Sequence, residues 1–115
     1  MILSAKIKPE VYTSHYSYKG ESRVDITVKT GIKIFAPTWD MVNKIKNKQI
    51  TQEEYAKQYY ELMRTSYGKN KNEWGRFLRN DRLVFVCFCP KDSFCHRYLL
   101  AEIFVKLGAM YNGEL

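Results

Sequence analysis

The feature that most constrains the fold is an unbroken run of seven apolar residues, Leu83–Cys89, rich in β-branched and aromatic side chains. Such a run predicts a strand buried on both faces, at the centre of a largely parallel sheet. A loop over Pro90–Ser93 and an apolar stripe over Phe94–Leu107 then predict a helix, which Gly108 is suited to end. Strand, loop and helix in this order favour a small Rossmann-like α/β sandwich with a mainly parallel central sheet flanked by helices.

The remaining segments predict shorter elements of the same two kinds. Further strands are expected at four apolar or alternating segments: Val11–Thr13, Arg23–Lys29, Ile32–Ile34 and Met110–Asn112. Thr38 is expected to cap one helix, and Thr51 with Glu54 forms a capping-box pattern at the start of a second. A third helix is expected over about Asn72–Arg79. Because 115 residues suffice for only one hydrophobic core, residues 1–115 are expected to form a single α/β domain.

Charge and cysteine usage narrow the class of protein. The net charge of +7 and the pI of about 9.3 favour anionic partners such as nucleotides, phosphorylated metabolites or nucleic acid. No apolar run approaches the roughly 20 residues of a membrane span, and the start lacks a secretory signal, so no membrane partner is expected. All three cysteines lie within Cys87–Cys95. An odd number in one short stretch is no disulfide framework, which indicates a reducing, cytoplasmic compartment.

The turn Cys95-His96-Arg97, at the start of the last predicted helix, is the segment best suited to chemistry. Ligands of open α/β sheets bind beyond the carboxyl ends of the strands, where this turn is expected. A helix N-terminus attracts anions and favours the thiolate of Cys95, and Arg97 offers a fork that fits phosphate or carboxylate. We predict that Arg97 binds an anionic ligand and that Cys95 and His96 are the catalytic candidates. The alternative that His96 only caps or packs stays open.

Further ligand-binding candidates come from other elements. Thr13, Ser14 and His15 end the first predicted strand, whose edge would adjoin the central one. Asp40 lies in the first turn of a predicted helix, next to Trp39. The Trp39 ring could cover a bound ligand or pack in the core, and packing in the core is slightly favoured. Glu102 lies two turns after Cys95 and either reaches the pocket or pairs with Lys106.

The same cysteines suggest three other kinds of chemistry. Cys87, Cys89, Cys95 and His96 have the chemistry of a zinc site, but burial of the first two in a strand is expected to separate them from Cys95. The sequence therefore predicts no metal and no cofactor. Cysteine phosphatases and rhodaneses need Cys-x5-Arg, and the residue six after Cys89 is Cys95, so that match fails. A redox pair is disfavoured because there is no C-x-x-C motif.

Several of these segments together resemble the domain-of-unknown-function family numbered 488. They are Val11–Ser14, Phe35–Asp40, Glu53–Tyr55 and the closing motif Cys87–Glu102. The resemblance implies a Rossmann-like α/β domain without a settled activity. It marks as signature positions Thr13, Ser14, Pro37, Asp40, Cys95, His96, Arg97 and Glu102. Many relatives have Gly-His-Ser after the first strand, where this chain has Ser14-His15-Tyr16.

Two functions of different classes follow from these observations. The first is binding of a phosphorylated or nucleobase-containing ligand at the Cys95–Arg97 turn, with processing of that ligand left open. The alternative is a non-enzymatic basic accessory or regulatory protein that binds nucleic acid or another protein. The lysines are scattered rather than gathered in one block, which suits a solvated surface as well as a nucleic-acid footprint.

Overall fold

The computed structural model describes residues 9–90 and 93–115, and in them four parallel strands form one sheet. The strands are β1 (Glu10–His15), β2 (Arg23–Asp25), β3 (Arg82–Cys87) and β4 (Met110–Glu114), in the spatial order β2-β3-β1-β4. Every pairing is parallel, and β3 is an interior strand, as its apolar run predicts. The α/β class with a mainly parallel sheet is therefore confirmed, while the Rossmann-like detail stays a prediction.

Two of the helices, those that follow Thr38 and Thr51, begin where capping chemistry predicts. The helices are α1 (Trp39–Lys46), α2 (Gln52–Lys69), α3 (Lys71–Leu78) and α4 (His96–Lys106). Thr38 Oγ1 accepts a hydrogen bond from the Met41 N–H at 3.1 Å, and Thr51 with Glu54 forms the reciprocal capping box of α2. None of these helices is long and apolar enough to cross a bilayer, within the ranges that the structure describes.

Helix α4 begins two residues later than predicted, so Cys95 is its N-cap residue rather than part of its first turn. The helix contacts β1, β3 and β4, and α2 packs against α4. Gly108 follows the C-cap and has a φ of +108°, a conformation that a residue with a side chain rarely adopts. Lys91 and Asp92 of the predicted Pro90–Ser93 loop lie outside the described residues.

Alternate residues of β3 build the hydrophobic core. Leu83, Phe85 and Cys87 belong to one buried cluster that also takes in the inward faces of the helices. The tyrosines of α2 behave as the helical spacing predicts, because Tyr55 and Tyr59 are buried in the same cluster.

The chain between β2 and α1 differs from the prediction. The strand expected over Arg23–Lys29 ends at Asp25, whose carboxylate accepts hydrogen bonds from the Thr27 N–H at 2.9 Å and the Thr30 hydroxyl at 2.6 Å. The strand expected over Ile32–Ile34 is wrong, since this segment forms turns. Short polar side chains that bond to the nearby backbone compete with strand pairing, which accounts for both differences.

Candidate functional site

A cavity of about 450 Å³ lies at the carboxyl edge of the sheet, where β3 ends and α4 begins. Four parts of the chain form its wall: the segment after β2, helix α1, the start of α2, and the connection from β3 to α4. The register of the parallel strands places the ends of β1, β2 and β3 at the same edge of the sheet. Cys87 of β3 pairs with His15 of β1, and Val86 of β3 pairs with Asp25 of β2. The cavity thus occupies the place where parallel α/β sheets bind ligands.

The outer wall of the cavity is aromatic and partly exposed. Trp39 is 55% exposed and Phe88 is 50% exposed, and both line the cavity together with Phe94. The interpretation of Trp39 as a core anchor is wrong. The buried residue of α1 is Met41, and residues two apart on a helix do not share a face, so Trp39 is directed away from the core.

Three sulfur atoms converge at the inner end of the cavity. The Sγ atoms of Cys87, Cys89 and Cys95 all lie within 4.8 Å of one another, and a disulfide joins Cys87 to Cys95. The predicted separation of the strand cysteines from Cys95 is therefore wrong. The cysteine pair that the missing C-x-x-C motif disfavoured is present, as the bond between Cys87 and Cys95. Since β3 ends at Cys87 and α4 starts after Cys95, both residues lie at the same edge of the sheet. Burial raises the pKa of the free Cys89 thiol, an effect that the charge of Arg97 opposes.

His96 is a buried, neutral imidazole beside this cluster. Burial lowers its pKa to about 4, although a hydrogen bond to Ile26 acts in the opposite direction. Its Nε2 lies 2.6 Å from the carbonyl oxygen of Ile26 and must carry the proton that it donates there. Nδ1 is therefore unprotonated, and it lies 3.8 Å from Cys95 Sγ.

Arg97 adjoins the cluster, but its guanidinium is directed into the protein. The residue is fully buried and does not line the cavity. Its Nη2 donates to Glu114 Oε2 at 3.0 Å, and its Nη1 donates to the carbonyl oxygen of Cys89 at 3.0 Å and to Cys87 Sγ at 3.3 Å. These protein partners occupy the donors that the sequence analysis assigned to an anionic ligand, so the geometry gives Arg97 a positioning role.

The other predicted ligand-binding residues do not line the cavity. Buried Thr13 shares a 2.6 Å hydrogen bond with the Tyr111 hydroxyl, and Ser14 is buried in β1. His15 is exposed and accepts from the Ser17 N–H at 3.1 Å. Asp40 forms an exposed ion pair with Lys44, and Glu102 accepts from the Tyr60 hydroxyl at 2.6 Å. Of the predicted site residues, the structure brings only Cys95 and His96 to the cavity.

Two lysines at the rim were not singled out by the sequence analysis. Lys29 and Lys46 are exposed and line the cavity, Lys29 after β2 and Lys46 at the end of α1. Tyr55 also lines it, and burial raises the pKa of its hydroxyl, with the nearby Cys89 adding to the effect. The lysines carry no local signal, because their common location depends on how α1 packs.

Fold and site together define a small α/β domain with a cysteine-lined cavity at the carboxyl edge of a parallel sheet. The chain belongs to the DUF488-N3a family, described as the active DUF488-N3 subclade, whose model matches residues 6–108. This confirms the resemblance to the family numbered 488. Neither a search of curated proteins nor a search of solved structures found a match.

Proposed function

We propose that this protein binds a nucleotide-like small molecule, one that joins a planar base to an anionic phosphate, and processes it at the inner end of the cavity. The observation that carries the proposal is the cavity itself. Its volume of about 450 Å³ falls within the range of roughly 300–1,000 Å³ typical of small-molecule sites. Its aromatic outer wall matches the base of such a ligand, and its rim lysines match the phosphate.

The aromatic outer wall supports recognition of a planar base. Trp39 and Phe88 offer exposed ring faces, and Phe88 stacks on Tyr16 with ring centroids 4.1 Å apart. Arg23 lies over the other side of this pair, 4.4 Å from the Tyr16 ring centroid, which limits movement of the stack. Stacking of a base on an aromatic side chain contributes about 1–3 kcal/mol and tolerates different bases.

The rim lysines support binding of the phosphate. Lys29 and Lys46 line the cavity from two separate elements and belong to a chain with a net charge of +7. An ammonium group binds phosphate as a point charge, without the fixed fork of arginine. In this proposal the lysines therefore hold the anion, and Arg97 holds the connection between β3 and α4.

Cys95 and His96 are assigned the chemistry of the site. Both are buried and line the inner end of the cavity, so the ligand atoms furthest from the rim lie against them. Once the disulfide to Cys87 is reduced, Cys95 acts through its sulfur, and His96 acts through Nδ1. The description of the family as an active subclade agrees with this assignment. A cytoplasmic location, where thiols are kept reduced, is part of the proposal.

Tryptophan fluorescence and calorimetry test the binding. Trp39 lines the cavity while Trp74 is fully buried, so quenching by a ligand reports on Trp39. We expect saturable quenching by nucleoside monophosphates and weaker quenching by free bases, ribose 5-phosphate or inorganic phosphate. Lys46→Ala should weaken nucleotide binding about tenfold, equivalent to about 1.4 kcal/mol.

Lys57→Ala is the matched control, because Lys57 is an exposed lysine that does not line the cavity. It should leave the nucleotide affinity unchanged. Equal losses for Lys46→Ala and Lys57→Ala would contradict the proposal. Strongly salt-dependent binding to a single-stranded oligonucleotide, with no nucleotide binding, would instead favour the nucleic-acid alternative.

A further inference from the structure

We propose that Cys87, Cys89 and Cys95, in their thiolate form, hold one zinc ion at the inner end of the cavity. The fourth coordination position then faces the cavity. The inference rests on four observations: the convergence of the sulfurs, the spacing of their backbones, the groups that surround them, and their place in the cavity wall.

The three sulfurs lie close enough together to share one zinc ion once the Cys87–Cys95 disulfide is reduced. A Zn–S bond of about 2.3 Å and tetrahedral angles put thiolates about 3.8 Å apart. The Sγ atoms of all three cysteines lie within 4.8 Å of one another, so small rotations would place them on a common ion. Thiolates are soft ligands that select zinc over hard cations such as magnesium.

The backbones suit convergence on a shared atom. Cys87 ends β3, Cys89 lies two residues further, and Cys95 caps α4, so the ligands come from two rigid elements and their connection. The Cα atoms of Cys87 and Cys95 are 7.9 Å apart. That exceeds about 6.8 Å, the usual upper limit for a disulfide, whereas an ion between the sulfurs allows a wider spacing.

The surrounding groups have the roles that outer residues take around a metal. Three thiolates and Zn²⁺ carry a charge of −1, and the buried Arg97 cation donates to Cys87 Sγ at 3.3 Å. The same guanidinium donates to the carbonyl oxygen of Cys89 and so orients a second ligand.

Zinc and the disulfide exclude each other. Reduction of the Cys87–Cys95 bond by a dithiol reductant adds two electrons and two protons and yields two thiols. Zn²⁺ then displaces three protons, one from each cysteine, and three Zn–S bonds form. Bound zinc blocks re-formation of the disulfide, because both sulfurs are occupied.

The open position links the metal to the cavity. Zinc sites that do chemistry commonly have three protein ligands and a fourth position for water or substrate. All three cysteines line the cavity, so a ligand atom at its inner end would reach the ion. This last step rests on the proposed function, whereas zinc binding itself does not.

The test measures metal on the full chain without any organic ligand. Protein purified anaerobically with a dithiol reductant is loaded with Zn²⁺ or Co²⁺, desalted and analysed by mass spectrometry for metal content. We expect one metal ion per chain, and for Co²⁺ a thiolate charge-transfer band with the intense visible absorption of a four-coordinate site.

Cys89→Ser is the decisive variant, because Cys89 is outside the disulfide and partly exposed, so its loss leaves the Cys87–Cys95 pair intact. It should weaken Zn²⁺ binding at least 100-fold in competition with a chelating dye, with an unchanged circular dichroism spectrum. His15→Ala, which removes an exposed imidazole outside the cluster, is the control and should bind as the original chain does.

A reduced chain that retains no metal, or a Cys89→Ser variant that binds zinc as tightly as the original, would overturn the inference. Nucleotide binding by a metal-free chain would then leave the proposed function standing. Conversely, one zinc per chain without nucleotide binding would support the metal site and remove the proposed ligand.

Discussion

Arg97 shows how one residue can order the wall of a cavity that it does not line. Its guanidinium lies between Glu114 of β4 and the carbonyl and sulfur groups of the β3–α4 connection. An unpaired cation in that position would be strongly unfavourable, so the Glu114 carboxylate is needed to hold the charge. The ordering of the cysteine cluster therefore depends on an ion pair between α4 and the last strand.

Glu114→Gln is expected to destabilise the protein in a pH-dependent way. Burial alone would raise the pKa of Glu114, but hydrogen bonds from Arg97 and other neighbours outweigh it and lower the pKa. A lowered folded-state pKa means that the carboxylate contributes fully above the unfolded-chain value of about 4.3 and progressively less as the pH falls through the folded pKa. Urea unfolding at pH 7 should show a loss of about 3 kcal/mol.

The same comparison at pH 3 should show a much smaller difference between Glu114→Gln and the original chain. Glu61→Gln, which neutralises an exposed carboxylate on α2, should change the free energy of unfolding by less than about 0.5 kcal/mol. A Glu114→Gln loss that is equally large at both pH values would argue against the ion pair as its cause.

At the scale of elements, the cavity depends on how α1 is placed. The helix carries Trp39 at its first position and Lys46 at its last, so both wall residues move with it. Its eight residues are too few for independent stability, and its start depends on the Thr38 cap. Helix α2 is anchored differently, because Tyr59 donates to the Phe35 carbonyl at 2.7 Å and Ser66 to the Ile34 carbonyl at 2.7 Å.

Thr38→Ala is expected to loosen the cavity wall as well as the fold. Loss of the cap should lower the free energy of unfolding by about 1 kcal/mol. If α1 frays at Trp39, calorimetry should show nucleotide affinity reduced up to about fivefold, which corresponds to the same energy. Thr51→Ala removes an equivalent cap from α2 and should match the stability loss with unchanged affinity, because Tyr59 and Ser66 still hold that helix. Parallel affinity losses in both variants would contradict a specific role of α1.

At the scale of the whole molecule, Phe35 joins the layers of the core. It lies in the turn segment before α1, and its ring meets aromatic rings of β3, α3 and α4 at centroid distances between 4.8 and 5.9 Å. Those rings are Trp74, Phe77, Phe85 and Phe104. Phe35 and Ile26 are thus two of the side chains that connect the segment carrying the rim lysine Lys29 to the core.

Phe35→Ala should therefore lower the free energy of unfolding by about 3–5 kcal/mol, since it removes a fully buried ring and leaves a cavity. Urea unfolding measures the effect, with Val105→Ala as control because Val105 is 46% exposed. The control should change stability by less than about 0.5 kcal/mol. A Phe35→Ala loss below about 1 kcal/mol would contradict the central place of this ring in the core.

The amino-acid sequence by itself determined the elements whose causes are local. The apolar run that forms β3 and the caps at Thr38 and Thr51 depend on neighbouring residues, so they could be predicted. The sequence does not predict that β2 ends as early as Asp25. That end depends on whether the Asp25 carboxylate accepts hydrogen bonds from Thr27 and Thr30 in the following turn.

Tertiary structure decided the composition of the site. The turn at Cys95–Arg97 was located from the sequence, but strand register and helix packing determine which groups meet there. They direct Arg97 towards Glu114, bring Lys29 and Lys46 to one rim, and place the strand cysteines beside Cys95. No local sequence pattern predicts these contacts, because they form only when the parallel strands and α4 are assembled.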